Sequence, residues 1–196
     1  RARSGRRRRA SPGSRRSEIA YIAPDLLAAA ALLDRRNPGA LSFVLPVVPG
    51  LRSLLEPLVR QHGPDGLRLI DGRSHDCLAA CDLTLIASGT ATLEAALFKR
   101  PMVIAYKMHP LTWQLMKRMA YQPWVGLPNI LCREFVVPEC IQEACTPERL
   151  SAQAQTWLDQ PSLGGRLSER FHVLHRLLRC DTQSRATDAI AQVVQA

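Results

Sequence analysis

Residues 81–110, CDLTLIASGTATLEAALFKRPMVIAYKMHP, decide how the chain is read. An apolar run, LTLIA (83–87), has the length and composition of a buried strand. It passes through the small polar turn Ser88-Gly89-Thr90 into TATLEAALFKR (90–100), which reads as a helix, and then into the apolar strand PMVIAYK (101–107). A strand that returns through a helix to another strand is a βαβ unit, and that connection makes the two strands parallel. In an open α/β sheet, ligands bind where strands hand over to helices at their carboxyl ends. The Ser-Gly-Thr turn stands at such a handover.

The same alternation extends in both directions. Residues 18–36 read as a long apolar-rich helix, with Pro24 tolerable only near its first turns. Residues 40–48 (ALSFVLPVV) read as a buried strand, 50–63 as an amphipathic helix closed by Gly63, and 66–72 as a short strand. SHDCLAACD (74–82) reads as a brief helix with Ser74 as its N-cap. After the central unit, PLTWQLMKRMA (110–120) starts a helix at proline, and 122–139 is loop-like. A helix from Thr146 (N-cap) and Pro147 (first position) follows, then helices over about 163–180 and 184–195. The expected class is therefore α/β: a Rossmann-like parallel sheet flanked by helices, with C-terminal helices.

The formal net charge of +9 is unevenly placed. Residues 1–16 contain eight arginines and no acid, and the rest of the chain holds 18 basic against 17 acidic residues. The basic character belongs to the N-terminus, not to a folded face, and aromatic residues make up only 5% of the chain, so composition argues against a nucleic-acid partner. An RNA-associated protein would need that N-terminal arginine run to act. Six cysteines occur without a CxxC pair, which favours reduced, structural thiols over a metal site. His172 and His175 share a helical face without a third ligand nearby in sequence, and read as helix surface.

The chemistry concentrates in two turns. Gly89 lets the backbone bend and approach a ligand, while Ser88, Thr90 and the unpaired N–H groups of the next helix favour an anion. A simple helix cap explains the same three residues. Glu94, among alanines and leucines one turn later, can accept two hydrogen bonds from the vicinal hydroxyls of a ribose, or merely interact with the helix N-terminus. In SPGSRRSE, residues 11–18, a Gly-Ser turn with Arg15 beside it suits a diphosphate. Two such turns on one sheet describe a nucleotide-diphosphate pocket.

PGSRRSEI (12–19), the stretch 87–119, GLPNIL (126–131) and REFVVPECIQEACTPERL (133–150) resemble, in order and spacing, lipid-A-disaccharide synthase. The resemblance spans about residues 11–175. It implies a GT-B glycosyltransferase of inverting mechanism with no required metal or cofactor. The expected substrates are UDP-2,3-diacylglucosamine and 2,3-diacylglucosamine 1-phosphate, joined to give lipid A disaccharide 1-phosphate and UDP. This chain resembles the C-terminal lobe, which holds the UDP-sugar. By motif, Arg15, Ser88, Gly89 and Thr90 meet the diphosphate, Glu94 takes the ribose, and Asn129, Arg133 and Glu134 contact the nucleotide sugar, with Gln142 a further candidate. Read from the residues alone, Asn129 is equally a turn residue and Arg133 and Glu134 a solvated pair. No DxD-like cluster offers metal ligands, so helix N-termini and Arg15 offset the charge of the leaving diphosphate. The base that deprotonates the acceptor is expected in the N-terminal lobe.

The resemblance also implies a peripheral enzyme at the cytoplasmic face of the inner membrane, and it is compatible with a homodimer. One departure stands out. Where the family has an apolar strand before Pro-Gly-Ser-Arg, this chain has RARSGRRRRA. A run of arginines is costly in a central parallel strand, so residues 1–10 are expected to be a disordered tail, 11–165 the nucleotide-sugar lobe and 166–196 a helical segment. A fragment, inactive alone, is the expected status. A defunct or non-catalytic UDP-binding fragment is the alternative.

Overall fold

The computed structural model describes residues 6–11, 16–108, 113 and 123–194. Its elements in chain order are β1 (Arg6–Ser11), α1 (Arg16–Arg36), β2 (Leu41–Val47), α2 (Arg52–His62), β3 (Arg68–Asp71), α3 (Ser74–Ala80), β4 (Leu83–Ala87), α4 (Thr90–Leu97) and β5 (Met102–Tyr106). Then come α5 (Leu127–Cys132), β6 (Glu139–Ile141), a 3-10 turn (Gln142–Ala144), α6 (Pro147–Asp159), α7 (Pro161–Leu178) and α8 (Thr182–Val194). The six strands form one sheet in the order β3-β2-β1-β4-β5-β6, and each neighbouring pair is parallel.

Strand β4 is buried along its whole length, which is why it reads as an unbroken apolar run rather than an alternating one. Its side chains divide between two cores. Leu83, Leu85 and Ala87 pack with α1 (Ile22, Leu26, Ala30) and α6 (Leu150, Ala154). Ile86 packs on the other face with α3 (Leu78), α4 (Ala95, Ala96) and α7 (Leu167, Phe171). A third cluster seats α2 through Leu55 against Ile19 of α1 and Leu45 of β2. Helices thus cover both faces, as a parallel sheet requires.

Three local expectations are corrected. Pro24 lies inside α1, well beyond the first turn, and the helix continues through it. The dense stripe Ile22, Ala23, Leu26, Leu27 outweighs the missing hydrogen bond. Ser74 is the first residue of α3 rather than its cap, and Arg73 precedes it without a side-chain cap bond. Residues 122–139, expected as loop, contain α5 and the start of β6. Thr146 does cap α6, its hydroxyl accepting the Arg149 N–H at 3.3 Å, with Pro147 at the first position.

The largest correction concerns the N-terminus. Residues 6–10, expected within a disordered tail, lie in β1, in the middle of the sheet between β2 and β4. The physical reason is topological. β2 and β4 each need a parallel neighbour for their backbone groups, and ladder hydrogen bonds do not depend on side-chain type. The expected boundary at 165/166 falls inside α7, whose Leu167, Phe171 and Leu174 are buried on the sheet. The helix expected over 110–120 lies, Trp113 apart, outside the described residues.

Candidate functional site

At one place in the sheet, successive connections among the described residues diverge. β1 leads to α1 on one face, β4 leads to α4 on the other, and the two strands are adjacent. Their carboxyl ends are level, with Ser11 opposite Ile86. That crevice is the topological switch point of a doubly wound sheet, where ligands bind. Ser88, Gly89 and Thr90 occupy its β4 side. Arg15, expected on the β1 side, lies outside the described residues.

Gly89 adopts φ 150°, ψ −169°, a conformation that side chains disfavour, and a Cβ there would meet open space. Gly89 and Thr90 are exposed. Helix α4 has no side-chain cap hydrogen bond, and the Thr92 N–H donates to Gly89 O at 3.1 Å. The Thr92 hydroxyl donates inward to Gly89 O at 2.7 Å. Glu94 is half-exposed, and its carboxylate stands 3.6 Å from Nε2 of His75 on α3. The His75 ring also lies 5.7 Å from that of Phe98. His75 was not singled out in sequence; only its position at the start of SHDCLAACD placed it near the carboxyl edge.

Ser88 behaves differently from the expectation. Its hydroxyl donates to the Val125 carbonyl at 2.8 Å and its N–H to Ala105 O at 2.9 Å. A hydroxyl has one proton, so no Ser88 donor is left for a phosphate.

Asn129 is fully buried, and its amide is satisfied within the chain. Nδ2 donates to Val137 O (2.9 Å) and Glu139 Oε1 (2.8 Å), while Oδ1 accepts the N–H groups of Val136 (2.9 Å) and Val137 (3.0 Å). Two donors and two acceptor sites exhaust a carboxamide, so the expected ligand contact has no group to make it. Glu134 is partly engaged, its Oε1 accepting from Arg170 of α7 through Nε at 2.8 Å and a second nitrogen. Arg133 sits at the far end of α5 from Gly126, exposed and in the left-handed region at φ 55°. Gln142, at φ 51°, pairs its amide with the Met108 backbone, accepting the N–H at 2.9 Å and donating to the carbonyl at 3.3 Å.

The residue that sequence reasoning missed is Glu139. Its carboxylate accepts from Val125 N (3.0 Å), Gly126 N (2.9 Å) and Asn129 Nδ2. The available signal was an acid at the head of a buried segment, in VVPECIQ. Among the described residues no group of three or more His, Cys, Asp or Glu gathers to hold a metal ion. Cys77, Cys81, Cys140 and Cys145 are buried and form no disulfide. Burial pushes Cys140 up from its usual range and Cys145 up to about 11.

The sequence model of the lipid-A-disaccharide synthetase family matches residues 8–194, from within β1 to the end of α8. The chain belongs to the lipid-A-disaccharide synthetase family. A family member from Verminephrobacter eiseniae, named lipid-A-disaccharide synthase, is 54% identical over 188 residues, covering 93% of this chain and 48% of that protein. The chain thus spans about half the length of the curated relatives it matches. Solved structures agree on the fold. A protein described as a UDP-N-acetylglucosamine 2-epimerase from Listeria monocytogenes superimposes with TM-score 0.60 at 14% identity, over 85% of this chain and 39% of that one. Spinosyn rhamnosyltransferase SpnG, solved with thymidine diphosphate, gives TM-score 0.56 at 19% identity, over 90% and 46%. The fold is that of a Rossmann-like lobe of a GT-B glycosyltransferase, as the resemblance in sequence implied.

Proposed function

We propose that this chain is the donor-binding half of a lipid-A-disaccharide synthase, holding UDP-2,3-diacylglucosamine at the β1–β4 switch point. The observation that carries the reading is the coincidence of a family match with an exposed, glycine-hinged helix start at that crevice. The diphosphate lies against the amides of Gly89 and Thr90 and the Thr90 hydroxyl, with Arg15 supplying the cation from the β1 side. Glu94 accepts the ribose hydroxyls, its carboxylate oriented by His75. Helix N-terminus and guanidinium offset the negative charge that develops on UDP as the sugar–phosphate bond breaks. In the complete enzyme the sugar passes to 2,3-diacylglucosamine 1-phosphate, and no residue of this chain is assigned as the base. Lipid substrates place the reaction at the cytoplasmic surface of the inner membrane. No helix among the described residues is long and apolar enough to cross a membrane, which suits peripheral attachment.

A UDP-binding module without transferase activity is the second reading. Calorimetric titration of UDP against the chain tests what both readings share, and absence of saturable binding overturns both. Disaccharide synthesis, measured with the chain alone and with a full-length enzyme containing it, then separates them. We expect turnover only from the full-length enzyme. A full-length enzyme with no turnover would leave the binding module.

A further inference from the structure

The Ser88 proton is given to the Val125 carbonyl at 2.8 Å, and that carbonyl belongs to the Val125–Gly126 peptide. The N–H of the same peptide, on Gly126, donates to Glu139 Oε1 at 2.9 Å. One peptide plane therefore connects a carboxylate to a hydroxyl. A carboxylate only accepts, so Glu139 can take its three donors at once. Its charge polarises the peptide and makes the Val125 oxygen a stronger acceptor for the Ser88 proton. Gly126 is what allows the approach: a Cβ there would stand 2.3 Å from Ile104 Cδ1 and 3.0 Å from Glu139 Oε1.

We infer that Glu139 is a positioning residue: through the Val125–Gly126 peptide it turns the Ser88 proton inward and presents the hydroxyl's lone pairs to the crevice. Ser88 is then a hydrogen-bond acceptor, not a donor to phosphate. It selects a hydroxyl or N–H of the ligand, and an ionised diphosphate offers neither. The lone pairs of Ser88, backed by an anion, repel phosphate oxygens toward Gly89, Thr90 and the end of β1. For its ligand the inference rests on the nucleotide-sugar reading; the relay itself does not.

Two measurements on the chain test it. In ¹H–¹⁵N NMR spectra without ligand, the Gly126 and Val125 amide protons should resonate downfield, as carboxylate-bonded amides do. Glu139→Gln should move both upfield, Ser88→Ala should move Gly126, and Ser88→Thr, which keeps the hydroxyl, should restore it. A Gly126 resonance indifferent to both Glu139→Gln and Ser88→Ala overturns the relay, whatever binds. In calorimetry, Ser88→Ala should weaken UDP-N-acetylglucosamine binding roughly tenfold and leave inorganic pyrophosphate within about twofold. An equal loss for pyrophosphate would make Ser88 a phosphate donor and overturn the acceptor role. Failure of the unmodified chain to bind UDP-N-acetylglucosamine counts against the nucleotide-sugar reading alone, since the NMR result still decides the relay.

Discussion

Asn129 is a motif residue whose work is internal. Replacing it with alanine leaves the Val136 and Val137 N–H groups and the Val137 carbonyl without their partner. Each unsatisfied buried group costs about 1–3 kcal/mol, so Asn129→Ala should lower the unfolding free energy by at least ~2 kcal/mol. The denaturant midpoint measures this, and a change under half that size would mean water replaces the amide. Glu94 makes the opposite prediction. It is half-exposed, and its carboxylate stands 3.6 Å from His75 Nε2, so Glu94→Ala should scarcely alter the midpoint. It should instead weaken UDP binding by roughly 1–3 kcal/mol, the worth of two charge-assisted hydrogen bonds. An unchanged UDP affinity removes Glu94 from the ribose.

At the scale of elements, helix α6 shows what local chemistry can fix. Thr146-Pro147 announced its start in sequence, and the Thr146 hydroxyl accepts the Arg149 N–H. Thr146→Ala should cost about 1 kcal/mol in the same unfolding measurement. β4, α4 and β5 were equally legible, because a wholly buried strand leaves an unbroken apolar run and Gly89 marks the turn. The site was only half legible. Exposure of Gly89 and Thr90 followed from their place at a strand end, whereas the fate of Asn129, Glu134 and Ser88 depended on Val125, Arg170 and Glu139, distant in sequence. Such pairings have no periodicity. β1 was misread for a related reason: side-chain charge is visible in a sequence, but the demand of two flanking strands for a backbone partner is not.

At the scale of the whole molecule, a buried thiol limits alkaline stability. Burial holds the Cys145 proton up to about 11, while an unfolded thiol releases it near ~8.5. Below the lower value both states are protonated and nothing is lost; between the two, only the unfolded chain sheds the proton, so stability falls as pH rises. Cys145→Ala should flatten that fall, measured as denaturant midpoint against pH.

The two margins of the sheet are also its briefest members: β3 has four residues and β6 three. Over β3, Arg52 of α2 reaches across to the Asp71 carboxylate at 2.6 Å and to the Leu69 carbonyl at 3.3 Å. So little open ladder is a poor template for a second molecule, and charge at the rim discourages stacking further. Light scattering over rising concentration should find no strand-to-strand polymers, leaving a long-lived monodisperse solution.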